Sequence, residues 1–208
     1  MEDYPYVPVE ELKAYLENGG DPNANELLHD ALTEEHTRVL LEAGADPNLK
    51  NRWGKTPLHE AKTEEQTRAL LEAGADVNAR NVRVGETPLH VAKNLEKMKL
   101  LLEAGADIHA RDNLGNTPLH IQTGLLDRQL ERIIFLLDHG ADVNARNHDG
   151  NTPLHYAHTK EKIRLLVKAG ADVNAKNHED LTPLDLAEIQ ANGEKANALV
   201  EAGAIERD

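Results

Sequence analysis

Thr56-Pro57-Leu58-His59 opens a stretch that runs to Gly74-Ala75-Asp76 and then begins again with small changes. The same four residue types start at Thr87, Thr117 and Thr152, and Thr182-Pro183-Leu184-Asp185 makes a fifth near-copy, at steps of 31, 30, 35 and 30. Gly-Ala-Asp keeps the same beat from Gly44, Gly74, Gly105, Gly140 and Gly170, with Gly203-Ala204-Ile205 as its degenerate last copy. Self-similarity at this period marks a stack of units, each too small to bury its own apolar face.

Each marker has a job in helix chemistry. Thr56 can cap a helix while Pro57 fills the first helical position, where a missing N–H costs nothing. That first helix must end near Lys62, because Thr63-Glu64-Glu65-Gln66 reads as a capping box starting a second helix through Leu70 and Leu71 to Ala73. Gly74 stops it as a left-handed C-terminal residue. The same second-helix start recurs at Thr33, Asn94 and Thr159, each eleven residues before its Gly. Asp76-Val77-Asn78-Ala79-Arg80-Asn81 then leads into a polar reversal, with Gly54, Gly85, Gly115 and Gly150 near the tips.

Four copies of one motif in phase with five of the other resemble the ankyrin-repeat family, from about Val9 to Ile205. The resemblance implies an all-α solenoid, in which antiparallel helix pairs carrying projecting β-hairpin loops stack side by side. The whole chain, 1–208, is expected to be one such domain: a cap helix in 9–25, repeats at 26–50, 51–80, 81–111, 112–146 and 147–176, and a capping repeat at 177–208. Family units are about 33 residues long, and the deficit here lies between the helices, since Thr56 to Gly74 is 18 positions. The first helix is therefore clipped. Between Thr117 and Gly140 the span is 23, adding Gly124-Leu125-Leu126-Asp127, and a local break in the regular curvature is expected there. Asp185 replaces His where no further repeat would need it, and Asp21 to Leu27 leaves no room for a hairpin, so Val9 to Asn18 is expected to form a lone helix covering the first repeat.

Composition narrows the chemistry. Hydrophobic residues make up 39% and aromatics only 3%, so the core is built from Leu, Ala, Val and Ile. The formal charge is −14, with Lys and Arg scattered among the acids and no segregated basic face in view, which argues against direct nucleic-acid binding. The chain contains no Cys and no Ser, which removes thiolate zinc sites, disulfides and the two commonest nucleophiles. No segment approaches about 18 uncharged apolar residues. A soluble, cytoplasmic monomer is the simplest expectation, with no membrane contact and no cofactor.

The resemblance implies that His59, His90, His120 and His155 hydrogen-bond to their Thr and to neighbouring backbone. Buried neutral rings would make stability fall below a pH of about 6.5. His155 with His158, and His178-Glu179-Asp180, could be imagined as metal ligands, but their spacing is weak and solvated side chains are the default reading. Carboxylate pairs such as Glu64 and Glu65 sit at helix starts, where the dipole favours them. No phosphate loop is present, and no enzymatic activity is expected.

What remains is the surface that the repeats present. The resemblance assigns partner-protein contact to the hairpin tips and the concave strip: Arg52, Trp53 and Lys55; Val82, Arg83, Val84 and Glu86; Asn113, Leu114 and Asn116; His148, Asp149 and Asn151; His178, Glu179 and Leu181. These positions vary between copies while the caps do not. Trp53 beside Arg52 has hot-spot composition; the alternative is that it packs on a neighbouring hairpin. The loop from Thr123 to Gln129 is a second candidate surface, or simply a tolerated insertion. The function expected is a non-catalytic adaptor or inhibitor. The alternative is an acidic decoy that occupies basic or nucleic-acid-binding sites of a partner. The resemblance further marks Asn78, Asn144 and Asn174 as positions that asparaginyl hydroxylases modify in animal members.

Overall fold

A computed structural model describes residues 7–126 and 129–205, apart from the side chain of Asn25. Met1 to Tyr6, Asp127 of the insertion and the last three residues of the final repeat lie outside the described residues. The helices are α1 Val9–Glu17, α2 Glu34–Glu42, α3 Pro57–Glu60, α4 Glu64–Glu72, α5 Pro88–Val91, α6 Leu95–Glu103, α7 Pro118–Gly124, α8 Leu130–Asp138, α9 Lys160–Lys168, α10 Pro183–Ile189 and α11 Gly193–Glu201. Among the described residues there are two 3-10 turns: Ala24–Glu26, just before the first Leu of the core row, and Pro153–Tyr156, in the place of a first helix. No strand occurs among the described residues, so the loops between repeats are tight turns rather than paired β-ribbons.

The second helices begin as their caps dictate. The side chains of Thr33, Thr63, Asn94 and Thr159 accept the backbone N–H three residues on, from His36, Gln66, Lys97 and Lys162. They end at Gly44, Gly74, Gly105, Gly140, Gly170 and Gly203, all with φ of 85° to 98°. The lone helix expected before the first repeat is α1, which buries Leu12 and packs on α2.

The first helices are another matter: α3 and α5 have only four residues each, and isolated helices shorter than about 12 residues are marginal in water. They persist because the stack holds them. Leu28, Leu58, Leu89, Leu119, Leu154 and Leu184 come from one row, and Leu40, Leu70, Leu101, Leu136, Leu166 and Leu199 from the second helices. All twelve are buried in one continuous core. Burying one such side chain contributes about 2 kcal/mol, and each does so against the unit next door.

A clipped helix also leaves carbonyl groups at its end without intrahelical partners. These are met from the next repeat by the third residue of its second helix, a position that the sequence reading passed over. Gln66 donates to Ala31 O (2.7 Å), and the Lys97 amine donates to His59 O (3.1 Å) and Ala61 O (2.9 Å). Lys162 donates to Thr123 O and Leu125 O, and Lys195 to His155 O (2.8 Å). In the lengthened repeat Gln122 of α7 takes over the carbonyls of His90 and Ala92, and Arg132 moves on to Lys93 O (2.9 Å). The insertion thus changes which side chain does the work without leaving the helix end bare.

Desolvation dominates the charge state of these amines. Lys97 is pushed down to about 7, opposed in part by Glu60, and Lys195 to about 8. The unfolded chain keeps both lysines charged up to about pH 10.4, so stability rises as pH climbs from 7 toward that value. Urea unfolding should show a gain on the order of 5 kcal/mol between pH 7 and about pH 9.5, and Lys97→Met should remove the larger share of that slope. An unchanged slope in the variant would refute this account.

Four hairpin tips place glycine at positive φ, the last uses Asp180 (φ +63°), and the cost of losing a glycine differs between a tip and a helix stop. At Gly115 φ is +77°, and a Cβ would stand 2.6 Å from the His148 ring and 2.8 Å from its backbone nitrogen. At Gly105 φ is +90° but the space is open. Gly105→Ala should therefore cost about 1 kcal/mol, and Gly115→Ala distinctly more, as read from chemical denaturation midpoints.

Candidate functional site: the hairpin line

Every hairpin is closed by one backbone bond and one Asx side chain. Asn51 N–H donates to Lys55 O, Asn81 to Glu86 O, Asp112 to Asn116 O, Asn147 to Asn151 O and Asn177 to Leu181 O, at 2.9 to 3.0 Å. The side-chain oxygen of the same residue accepts two further N–H groups in the loop, as Asn51 does from Trp53 and Lys55. Later hairpins are also joined to one another: Asn113 N–H donates to Val84 O (2.8 Å), His148 to Leu114 O (2.9 Å) and His178 to Asp149 O (2.8 Å).

Below this line runs the imidazole row. The backbone N–H of Thr56, Thr87, Thr117 and Thr152 donates to Nδ1 of His59, His90, His120 and His155, at 3.0 to 3.1 Å. An N–H can only donate, so Nδ1 accepts and the proton sits on Nε2. Nε2 then donates to the next hairpin, at Glu86 O, Asn116 O, Asn151 O and Leu181 O. Imidazole here fills the place of Glu or Gln in a capping box. With both His155 nitrogens engaged, this ring has no lone pair to offer a metal. His29 joins the row by donating to Lys55 O (2.9 Å), although no Thr-Pro-Leu marks it. In the final repeat Asp185 takes the place of the imidazole, accepting from Thr182 N–H (2.7 Å) and from the Thr182 hydroxyl (2.8 Å). A carboxylate serves the cap where no next hairpin needs a donor.

The residues expected to meet a partner sort by burial. Arg52, Trp53, Val82, Arg83, Val84, Asn113, Leu114, His148, Asp149, His178 and Glu179 are exposed along the tips. Lys55, Glu86, Asn151 and Leu181 are half-buried. Lys55 faces Glu60 at 3.6 Å, Glu86 accepts from Asn81, and Asn151 accepts from Asn177. Asn116 departs from the expectation. It is 7% exposed, donating to Asp112 and accepting from Asn147 at 2.8 Å, so it joins hairpins rather than facing outward. Trp53 is 40% exposed, with the Arg52 guanidinium 3.9 Å above its ring. Val82 and Leu114, on the next two hairpins, are 67% and 59% exposed.

A second row was missed by the sequence reading, which saw the cations as evenly scattered. Lys50, Arg80, Arg111, Arg146 and Lys176 each precede the Asx residue of a hairpin, and all five are exposed. The signal was present as one basic residue in phase with every repeat. Its tertiary alignment comes from Arg80 donating to Arg111 O (2.6 Å), Arg111 to Arg146 O (2.7 Å) and Arg146 to Lys176 O.

A family model described as ankyrin repeats in three copies matches residues 28–112, 67–147, 93–177 and 126–206. The chain belongs to the ankyrin-repeat family. Comparison with curated proteins finds no match. Ankyrin repeats generally mediate protein–protein interaction, and no described helix is long and apolar enough to cross a membrane. At the ankyrin asparagine position Asn78 and Asn144 tie adjacent repeats by donating to Gly105 O and Gly170 O. His109 interrupts that row at the step into the lengthened repeat. The exposed Leu126 lies in the inserted connection, between the described end of α7 and Asp127.

Burial lowers the pKa of all four imidazoles, to about 4 for His59 and His155. The unfolded chain takes up these protons near pH 6.5 and the folded one only at lower pH, near 4 for His59 and His155, so stability is lost as pH falls below 6.5. Each of His59 and His155 should contribute roughly 3 kcal/mol to the loss. A denaturation series from pH 7 to pH 4.5 should show it, and a flat series would contradict the assignment of neutral Nε2–H rings.

Proposed function

We propose that this ankyrin-repeat protein is a non-catalytic scaffold, an adaptor or inhibitor, that grips a partner protein through its hairpin tips and the strip beside them. The observation that carries the reading is apolar exposure on a held line: Trp53, Val82, Val84 and Leu114 project from three consecutive hairpins. A solenoid gains nothing in stability from leaving such groups in water, and a partner gains from groups already positioned. Trp53 under Arg52 provides a broad anchor with a charged rim.

An enzymatic reading has little to stand on. The four capping imidazoles are held between backbone groups. The groove lined by Lys13, Glu34, Glu35, Arg38, Val39 and Glu42, about 340 Å³, is open and threaded by ion pairs such as Lys13 with Glu35.

Affinity capture with the intact chain should recover a partner that Trp53→Ala/Leu114→Ala fails to hold. The variant should remain folded, since exposed substitutions stay within about 0.5 kcal/mol. Equal capture by both proteins would reject the hairpin line as the binding face. Capture insensitive to the substitutions but abolished by moderate salt would instead support the acidic-decoy alternative.

A further inference from the structure

The row Lys50, Arg80, Arg111, Arg146 and Lys176 is exposed, regular and largely without anionic neighbours. Among the described residues, only Lys176 of the five has an ion-pair partner, Asp180 at 2.9 Å. Cations on the second helices behave differently: Arg38, Arg68, Lys99 and Lys160 each sit on a glutamate at 2.7 to 2.9 Å. In a chain with a formal charge of −14, Lys50, Arg80, Arg111 and Arg146 thus form a regular line without ion pairs among the described residues, whereas other exposed unpaired cations such as Lys62, Lys93 and Lys168 are scattered.

We propose that this line binds an extended acidic segment of the partner protein, with Asp or Glu carboxylates on the cationic row and apolar side chains between them on Trp53, Val82 and Leu114. The inference rests on the hairpin line being the partner-binding face. Two features support it beyond charge. The Arg80, Arg111 and Arg146 guanidiniums each give an N–H to the carbonyl of the next member of the row. They are therefore oriented in advance, while a guanidinium has five donors and keeps others to fork a carboxylate. The row also lies against the tips, because the position a Cβ would take on Gly85 is 2.5 Å from Arg80 Nη2 and that on Gly150 is 3.0 Å from Arg146 Nη2. Charged and apolar anchors share one strip. Its field reaches the imidazoles beneath as a small contribution: burial dominates, and Lys50, Arg80, Arg111 and Arg146 lower the pKa of His59, His90, His120 and His155 respectively, behind Lys97 and Lys55 at His59, against Asp112 and Glu86 at His90, and behind Lys195 at His155.

A polynucleotide fits less well. Its dense phosphates would be repelled by the acidic helices flanking a single line of cations, and it offers no aliphatic side chains to the apolar tips.

Fluorescence anisotropy with three labelled probes tests this: a peptide repeating Glu-Leu-Glu-Gly, its Lys-Leu-Lys-Gly counterpart, and oligothymidylate. The acidic peptide should bind the full chain in a salt-dependent way, and the other two should not. Arg80→Gln/Arg111→Gln should weaken it about fivefold to tenfold. Because those arginines also join repeats, Arg52→Glu/Arg83→Glu, at the tips, provides a second test that leaves the inter-repeat bonds alone and should weaken it similarly. No binding of the acidic peptide, equal binding by both variants, or preference for oligothymidylate would overturn the proposal. If Trp53-dependent capture of a partner survives that failure, only the acidic-segment inference falls; if it is lost too, the binding face itself is wrong.

Discussion

A helix of four residues cannot hold itself, and the arrangement of this molecule depends on how neighbours complete one. At its start the imidazole of the fourth motif residue accepts from the Thr backbone and donates to the next hairpin. At its end an amine or amide from the next repeat takes the carbonyls that the shortened helix leaves open. Each first helix is thereby fastened at both ends to the unit that follows, while its Leu closes the core between them. None of these bonds is strong alone, at about 1 kcal/mol net. Leaving any of the buried groups unmet would cost more, so the stack forms as a whole.

The same fastening explains why the hairpins can serve as a recognition surface without strands to stiffen them. An Asx side chain closes each loop, and the imidazole below fixes its far end. In the later repeats the backbone of one tip bonds to the next. Side chains at the tips are then free to vary, since the turn itself needs only a residue that tolerates positive φ, glycine in four hairpins and Asp180 in the last. Asn116 marks the boundary of that freedom: a position that looks variable in the sequence has been drawn into the joining network.

Charge is partitioned along the same lines. Glutamates cluster at the first turns of the second helices, where the helix dipole favours them and nearby cations pair with them. Among the described residues, Lys50, Arg80, Arg111 and Arg146 stand without ion pairs at four of the hairpins, and Lys176 of the last one pairs with Asp180. Burial, rather than pairing, sets the proton affinity of the lysines and histidines inside. The pKa values of Lys97, Lys195 and the four capping imidazoles move down together, and stability climbs with pH through two separate windows.

The sequence by itself determined the repeat, its helix caps, the glycine stops and the clipped first helix, because each is a local rule read within a few residues. Thr63-Glu64-Glu65-Gln66 and Gly74 needed no neighbour to be understood. It also placed the exposed tips, since Trp53, Val82 and Leu114 stand out by varying where the frame does not. Only the tertiary structure decided what Lys97, Lys162 and Lys195 do, because their partners are carbonyls 36 to 40 residues away, and backbone acceptors leave no residue-specific trace in a sequence. The alignment of Lys50 with Arg80, Arg111 and Arg146 was decided there too. In the linear chain each is one cation among acids, and stacking alone brings them into a row.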